Sequence, residues 1–319
     1  MKKYKTLIIG AGSIGALKPN EFDSPESKQI YTHAHACYSH PAIDLIGIID
    51  KDFEKAKKAG TKWNTKAFES ITHFHICLNH ADIVIVAVNT EFHYDIIHQI
   101  IPHKPKVIIC EKPFCSNYEQ AERINKICEQ ADINLIINYT RSFVPELKQL
   151  SNDLKTGKYG EVYNFTLRYS RGLMREACHA FYWCLQSFDV LPWELDIYWC
   201  QEDSPMKGDV SAWMNFETKL CSTIAFIPIG PAYSTYNADI YTEKGRIELL
   251  NNWKTIRFHE NINSTYGDYQ ATGLMFIDKQ TQLDQALSFL LDYAIKNIDN
   301  PVIDVQALEV HKHLKLSSN

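Results

Sequence analysis

Residues 7–15, with the sequence LIIGAGSIG, constrain the fold more than any other stretch of this chain. Three apolar residues of the kind found in buried strands run directly into glycines spaced as G-x-G-x-x-G. In that context the first glycine permits a tight turn, the second lets a pyrophosphate approach the backbone, and the third lets a helix pack close to the sheet. The stretch therefore predicts a dinucleotide-binding strand, turn and helix. The residues predicted to bind the dinucleotide here are Gly10, Gly12, Ser13, Ile14 and Gly15.

An acidic residue after the second predicted strand supports this interpretation. The run LIGIID ends in Asp50, and a carboxylate at this position accepts hydrogen bonds from the ribose hydroxyls and repels a 2'-phosphate. We therefore predict NAD as the cofactor in preference to NADP. The alternative role for Asp50 is to cap a helix, for which Asp52 is better placed. Gly15 and Asp50 lie 35 positions apart, against about 20 in most such folds, so the sequence also predicts an insertion near the cofactor.

The order of strand-like and helix-like segments predicts two domains. Up to residue 140, apolar runs such as ADIVIVAV and VIICEKP alternate with helix-like stretches. This alternation predicts an α/β Rossmann domain with a doubly wound parallel sheet over residues 1–140. From Tyr163 the apolar period changes to two, since Tyr163, Phe165 and Leu167 alternate with polar residues. Residues 141–319 are therefore predicted to form an α+β domain with a mostly antiparallel sheet and two C-terminal helices.

Charge and cysteine content argue against several classes of function. The formal net charge of −5 argues against a nucleic-acid partner, and no run reaches the ~18 apolar residues of a membrane span. The nine cysteines form no Cys-x-x-Cys pair, as is typical of the reducing cytoplasm. Two histidine pairs, His33 with His35 and His73 with His75, have i, i+2 spacing, which converges poorly on a metal ion. We predict a cytoplasmic protein without a metal and with a small-molecule substrate.

Several motifs in order along the chain resemble the Gfo/Idh/MocA oxidoreductase family, the group of glucose-fructose oxidoreductase and inositol dehydrogenase. They are GAGSIG, AVNTEFHYDII in place of a Thr-Pro-x-x-His-like stretch, CEKPF for a Glu-Lys-Pro motif, and NYTRSFVP for an Asn-x-x-Arg segment. The resemblance continues through GKYGEVYNF and DIYTEKGRIEL, and so spans nearly the whole chain. It implies hydride transfer between a nicotinamide and a ring hydroxyl or ketone of a sugar, cyclitol or nucleotide sugar. It also implies a homodimer or homotetramer, with the second domain binding substrate and joining the subunits.

The Glu-Lys-Pro motif implies that Lys112 lies beside the nicotinamide and the reacting carbinol. An ammonium there suits the chemistry, because oxidising a hydroxyl builds negative charge on its oxygen as the hydride leaves. The alternative is an ordinary solvated lysine at the end of a strand. The resemblance further implies cofactor contacts for Asn89, His93 and Glu111, and a substrate contact for Arg141.

The second catalytic residue that the resemblance implies is His179. The family pattern there is Asp-x-x-x-His-x-x-Asp, whereas this chain has Arg175 and Tyr182 in place of the two aspartates. A nearby Arg175 would favour a neutral imidazole that can accept a proton, and its guanidinium could bind a phosphate or carboxylate of the substrate. The alternative for His179 is a buried structural role. A second register, DVLPWELD, keeps both aspartates but has Trp193 in place of the histidine, and it does not follow the predicted strand directly.

Two other functional classes stay open at this point. A nicotinamide-binding regulator without turnover would keep the glycine turn and tolerate the altered aspartate pattern. A tightly bound and recycled cofactor would indicate a redox-assisted lyase or a self-contained oxidoreductase.

Overall fold

The computed structural model describes residues 2–69, 80–188, 196–201, 209–218, 220–221, 223–230, 234–263, 270–302 and 304–314. The chain divides into two units. Unit 1 comprises Met1–Phe143 and Asp284–His311, and unit 2 comprises Val144–Leu283 and Lys312–Asn319. The predicted boundary between residues 140 and 141 lies three residues from the first break between the units.

Unit 1 is built on a parallel six-stranded sheet. Its strands are β1 (Tyr4–Ile9), β2 (Ile43–Ile49), β3 (Ala67–Phe68), β4 (Ile83–Val86), β5 (Val107–Cys110) and β6 (Asn134–Ile137). The helices between them are α1 (His33–Ser39), α2 (Phe53–Lys62), α3 (His93–Ile100) and α4 (Tyr118–Gln130). The strand order β3-β2-β1-β4-β5-β6 reverses direction beside β1, as in dinucleotide-binding sheets. Every residue of β4, β5 and β6 is buried, so both faces of the sheet are covered. The predicted Rossmann fold is confirmed.

A helix from near the C-terminus completes the core of unit 1. This helix, α7 (Ala286–Lys296), presents Leu287, Leu290, Leu291 and Ala294 to the cluster that contains Ile8 and Ile85. The spacing of these residues gives one apolar stripe, as the sequence predicted. The sequence assigned the helix to the second domain, whereas its stripe packs within unit 1. Periodicity shows that a helix has an apolar face but does not show which sheet that face will cover.

Unit 2 contains an eight-stranded, mostly antiparallel sheet in the order β14-β13-β12-β11-β7-β10-β9-β8. The strands are β7 (Val162–Tyr169), β8 (Asp196–Gln201), β9 (Ser211–Phe216), β10 (Ile224–Pro228), β11 (Tyr236–Thr242), β12 (Gly245–Leu250), β13 (Thr255–Asn263) and β14 (Gln270–Gln280). Its helices are α5 (Pro145–Lys155) and α6 (Cys178–Ser187), and α8 (Val305–Leu314) crosses the third break between the units, after His311. β7 and β10 are the parallel pair, and the predicted antiparallel character of the sheet is otherwise confirmed.

The start of β7 departs from the predicted alternation. Phe165, Leu167 and Tyr169 are buried as predicted, but Tyr163 is exposed and Val162 is buried in its place. The pairing with β11 slips by one residue at this point, so the extra residue on β7 turns the side chain of Tyr163 outward. The prediction for Tyr163 was therefore wrong because a bulge interrupts the period of two.

The sequence also missed elements of unit 2. β8 and β14 were not predicted. The segment WKTIRF, residues 253–258, predicts a strand from its first residue, whereas Trp253 precedes β13 in a turn. Asn251, Asn252 and Trp253 have φ values of 52°, 57° and 71°, so three successive residues without a glycine are left-handed. The turn brings the Trp253 ring into the interior, with its centroid 5.4 Å from that of Trp183 on α6.

Candidate active site

The glycine turn follows β1 and has the geometry that a dinucleotide requires. Gly10 has φ of +107°, and a Cβ built on it would collide with the carbonyl group of Ala87. A Cβ on Gly15 would collide with the carbonyl of Gly10. By contrast, a Cβ on Gly12 would meet nothing within 4 Å, so open space lies over the second glycine, where a pyrophosphate would approach. The turn therefore fits the predicted cofactor.

Asp50 directly follows β2 and lies beside this turn. One carboxylate oxygen, Oδ2, accepts a hydrogen bond from the backbone N–H of Ala11 at 2.7 Å, and Oδ1 accepts one from the backbone N–H of Asp52 at 2.9 Å. Each oxygen keeps a second lone pair for a ribose hydroxyl. Asp52 caps α2 through the backbone N–H of Lys55, so the capping role predicted for Asp52 is confirmed.

The predicted insertion interrupts the helix that follows the glycine turn. After Gly12 the chain forms one helical turn and then departs from the helix axis. α1 continues the same helix, because the backbone N–H groups of His33 and Ala34 donate to the carbonyls of Ile14 and Gly15. His33 and Ile14 are 19 positions apart, where an uninterrupted helix has four, so 15 residues are extra. Removing 15 from the 35 positions that separate Gly15 and Asp50 leaves 20, the usual spacing. Residues 18–32 are thus the insertion.

A buried carboxylate holds the inserted residues in place. Asp23 accepts hydrogen bonds from the backbone N–H of Tyr31 (3.1 Å), the hydroxyl of Thr32 (2.7 Å) and Nδ1 of His35 (2.7 Å). Burial alone would raise the pKa of Asp23, but these three hydrogen bonds and the charge of His35 outweigh burial and lower it. The imidazole of His35 also stacks on Trp63, the residue after α2, with 5.1 Å between ring centroids, so His35 joins α1 both to the insertion and to the end of α2.

Glu111 and Lys112 follow β5 at the carboxyl edge of the sheet, where the glycine turn and Asp50 also lie. Lys112 is half-buried, and Glu111 is buried. His33 Nε2 and Asn138 Nδ2 both donate to Glu111 Oε1, at 2.7 and 2.6 Å. Burial alone would raise the pKa of Glu111, but these hydrogen bonds and the charges of His33 and Lys112 outweigh burial and lower it. The sequence did not single out this role for His33 or Asn138.

The predicted cofactor residues after β4 have different surroundings. Asn89 is exposed and donates to Glu91 at 3.4 Å, at the start of a short 3-10 turn. His93 is buried, with Nε2 lying 3.0 Å from the carbonyl oxygen of Val88 and Nδ1 lying 3.0 Å from that of Phe114. Burial lowers the pKa of His93 despite these carbonyls. His93 therefore ties the segment after β4 to the segment after Lys112.

The remaining predicted residues lie in the two units separately. Arg141 is half-buried in unit 1, in a 3-10 turn after β6. Arg175 and His179 belong to unit 2, where the chain leaves β7, forms a π-helical turn over Leu173–Ala177 and enters α6. His179 is buried on α6 and Arg175 is half-buried on the π turn.

A carboxylate that the sequence did not identify anchors this turn. Asp209 is buried and accepts hydrogen bonds from the backbone N–H groups of Met174 (2.9 Å) and Arg175 (3.1 Å). Asp209 lies 34 residues beyond Arg175, so no local pattern could have identified it. Its carboxylate satisfies backbone donors at the start of the helical segment that carries His179.

The structure describes one of the two histidine pairs that have i, i+2 spacing. His33 and His35 each bind a different carboxylate, while His73 and His75 lie outside the described residues. In the part of the chain that the structure describes, no group of three or more His, Cys, Asp or Glu residues is suited to hold a metal ion. In that same part, no helix has the length and apolar character needed to cross a membrane.

Comparisons with known proteins extend these observations. Residues 4–139 match the model of the GFO_IDH_MocA oxidoreductase family, described as having an NAD-binding Rossmann fold. The rhizopine catabolism protein MocA of Rhizobium meliloti is 26% identical over 164 residues, which are 51% of this chain and 46% of that protein. The matched part thus spans about half the length of this relative.

Two solved structures are similar over nearly the whole chain. A 3-ketoreductase mutant from Actinomadura kijaniata, in complex with TDP-benzene and NADP, superposes with a TM-score of 0.74 at 14% identity, covering 98% of this chain and 96% of that one. A putative myo-inositol dehydrogenase from Sinorhizobium meliloti superposes with a TM-score of 0.70 at 16% identity, covering 97% and 95%. Both share the two-sheet fold. The predicted resemblance to the Gfo/Idh/MocA oxidoreductases is therefore confirmed, and residues 4–139 match the NAD-binding Rossmann fold of that family.

Proposed function

We propose that this protein is an NAD-dependent dehydrogenase or reductase acting on a ring hydroxyl or ketone of a sugar, cyclitol or nucleotide sugar. One observation carries the proposal: Lys112 directly follows a buried, ionised carboxylate at the edge of the sheet that also carries the glycine turn. The match of residues 4–139 to the oxidoreductase family and the similarity to a 3-ketoreductase and to a putative myo-inositol dehydrogenase support the substrate class.

In this proposal the residues of unit 1 hold the cofactor and stabilise charge. The turn that contains Gly10, Gly12 and Gly15 binds the pyrophosphate, and the carboxylate of Asp50 accepts hydrogen bonds from the ribose hydroxyls. When bound, the nicotinamide accepts or supplies the hydride. The ammonium of Lys112 stabilises the negative charge that develops on the reacting oxygen. Ser13, Ile14, Asn89 and Glu111 complete the predicted cofactor site, while His93 acts on it through the backbone of neighbouring segments.

In unit 2, His179 exchanges the proton of the reacting hydroxyl, and Arg175 contacts the substrate, as does Arg141 of unit 1. The support for Arg175 is chemical, since a half-exposed guanidinium binds a phosphate or carboxylate bidentately. We further propose a homodimer or homotetramer and a cytoplasmic location. Buried cysteines support the location, because they are typical of proteins in a reducing compartment. Among the described residues the buried cysteines are Cys37, Cys110, Cys115, Cys128, Cys178, Cys184 and Cys221.

A second candidate function is a nicotinamide-binding regulator without turnover. The observation that favours it is the replacement of both aspartates of the family pattern by Arg175 and Tyr182. The two candidates share the cofactor site but differ in whether the protein consumes a substrate.

The deciding experiment is turnover by purified protein with NAD or NADH and a panel of sugars, cyclitols, nucleotide sugars and their ketones. With an accepted substrate, Lys112→Met should lower kcat by at least about 100-fold to 1,000-fold. The cofactor Kd should stay within about threefold of that of the unmutated protein, because the charge that Lys112 stabilises develops only during hydride transfer. Lys106→Met is the matched control, since Lys106 precedes the same strand at its opposite end and pairs with the exposed Asp299. Cofactor binding without turnover of any compound on the panel would favour the regulator. Near-normal turnover by Lys112→Met would overturn the role of the lysine.

A further inference from the structure

Glu111 receives a hydrogen bond from His33, a residue on the far side of the insertion. The bond joins His33 Nε2 to Glu111 Oε1 at 2.7 Å, and both side chains are buried, with exposed fractions of 1% and 9%. Building on the proposed function, we propose that His33 is a positioning residue for Lys112, which it serves by holding the neighbouring Glu111 carboxylate in place. The first residue after the insertion of residues 18–32 therefore supplies a supporting side chain to the site.

The geometry at Glu111 fixes the carboxylate from two elements. Asn138, directly after β6, donates to the same oxygen at 2.6 Å, so Oε1 accepts from the end of β6 and from α1 together. The backbone N–H of Glu111 donates to the carbonyl of Val86, which fixes the main chain of the same residue. With its carboxylate and backbone both fixed, Glu111 determines where the peptide to Lys112 begins.

His33 can reach Glu111 only because the insertion is closed at its base. The backbone N–H of His33 donates to Ile14, and Thr32, one residue earlier, caps α1 while its hydroxyl donates to Asp23. α1 therefore resumes in register with the helix it continues, and the side chain of its first residue faces the end of β5. An insertion that shifted this register by one residue would rotate His33 by about 100° around the helix axis and break the contact.

The charge of Glu111 depends on the groups that face it. Those groups are Lys112, His33, His93 and the thiol of Cys110, with Asn138 as a neutral donor. A buried carboxyl group without a strong donor takes up a proton, since burial penalises the ionised form. Removing His33 should thus let Glu111 become neutral and leave the Lys112 ammonium without an adjacent negative charge.

Substitutions at His33 separate this role from simple packing. Gln has an amide nitrogen at nearly the reach of Nε2, while Asn is too short and Leu has no donor. We expect His33→Leu and His33→Asn to lower kcat about tenfold or more and to move the acidic limb of the kcat profile up by about one pH unit. His33→Gln should restore most of both quantities. His40→Leu is the matched control, because it breaks an imidazole–carboxylate contact to Asp292 at the other end of the same helix, and it should leave the profile in place.

A second readout does not require turnover. Protein labelled with carbon-13 at the glutamate side-chain carboxyl allows the titration of Glu111 to be followed by NMR, with Glu111→Gln identifying its signal. We expect the Glu111 signal to titrate at higher pH in His33→Leu and His33→Asn than in the unmutated protein, and close to the unmutated value in His33→Gln. An unchanged titration in both disruptive variants, or an equal shift in His40→Leu, would overturn the proposal. If no sugar is turned over, the proposed function fails, while the NMR titration still decides what His33 does to Glu111.

Discussion

The carboxylate of Asp50 accepts a hydrogen bond from the backbone N–H of Ala11, 2.7 Å away, so the acid at the end of β2 is fixed to the turn that would hold the pyrophosphate. The residue predicted to bind the ribose and the turn predicted to bind the phosphates are therefore joined by a hydrogen bond. A change at Asp50 acts on both.

The first prediction concerns cofactor preference. NAD should bind more tightly than NADP, and Asp50→Ala should narrow the gap by removing both the ribose hydrogen bonds and the repulsion of a 2'-phosphate. Because Ala11 also loses its acceptor, affinity for NAD should fall further than loss of the ribose contact alone would cause. Asp52→Ala, which removes a helix cap two residues away, should leave the preference unchanged. Calorimetric titration of the three proteins with NAD and with NADP measures the six affinities, and equal affinities for the two cofactors in the unmutated protein would refute the assignment.

The second prediction concerns the proton. His179→Ala should lower kcat by roughly 100-fold or more, less than Lys112→Met, and should flatten the pH dependence because water can replace a proton acceptor. His313→Ala, which removes a half-buried imidazole elsewhere in unit 2, should do neither. Steady-state kinetics across a pH series on an accepted substrate makes the comparison. A profile that keeps its shape in His179→Ala would show that this imidazole does not titrate during turnover.

The third prediction concerns acid sensitivity of the insertion. The folded pKa of Asp23 is lowered, so its contribution to stability is present above the ordinary pKa of an aspartate and is lost as the pH falls through the lowered value. Asp23→Asn should reduce the free energy of unfolding of unit 1 by about 1–3 kcal/mol at pH 7, and this difference should shrink on acidification. Asp44→Asn, on the exposed side of β2, is the control. Urea unfolding at several pH values measures this difference in the free energy of unfolding. A difference that does not depend on pH would contradict the prediction.

The fourth prediction concerns the left-handed turn before β13. At Asn252, with φ of 57°, glycine should give a more stable protein than alanine by about 1 kcal/mol, because a Cβ is disfavoured in this conformation. At Asn152, exposed in the interior of α5, the order should reverse by a similar amount, since glycine weakens a helix relative to alanine. Thermal or urea unfolding of the four variants gives the two differences. The same sign at both positions would rule out backbone strain as the cause.

The fifth prediction concerns assembly. Trp213 on β9 and Tyr198 on β8 are 47% and 56% exposed with ring centroids 5.2 Å apart, so they form an aromatic patch on the face opposite the buried Met214. If this face joins subunits, Trp213→Glu should shift the protein toward monomer in analytical ultracentrifugation. Val305→Glu, at an exposed apolar residue in unit 1, should not. A monomer at every concentration of the unmutated protein would count decisively against the proposal.

Short-range patterns in the sequence were enough to predict much of unit 1. Three patterns each involve residues that are close together along the chain. They are the glycine turn, the acid directly after β2 and the alternation of strands with helices, and local backbone preferences are enough to predict them. The same holds for the helical spacing of α7 and the period of two in β7. These patterns fixed the fold class, the position of Asp50 beside the turn and the placement of Lys112 at the end of a strand.

The tertiary structure decided what depends on residues far apart in sequence. The spacing of 35 positions indicated an insertion, but only the bonds from His33 and Ala34 to Ile14 and Gly15 show that it splits one helix and that α1 continues that helix. In the same way, packing assigned α7 to unit 1, and a bulge turned Tyr163 outward. Asp209 reaches the turn before α6 from 34 residues away. A hydrogen bond or a packed face has no sequence period when its two partners come from different elements, because the folded chain alone sets the distance between them.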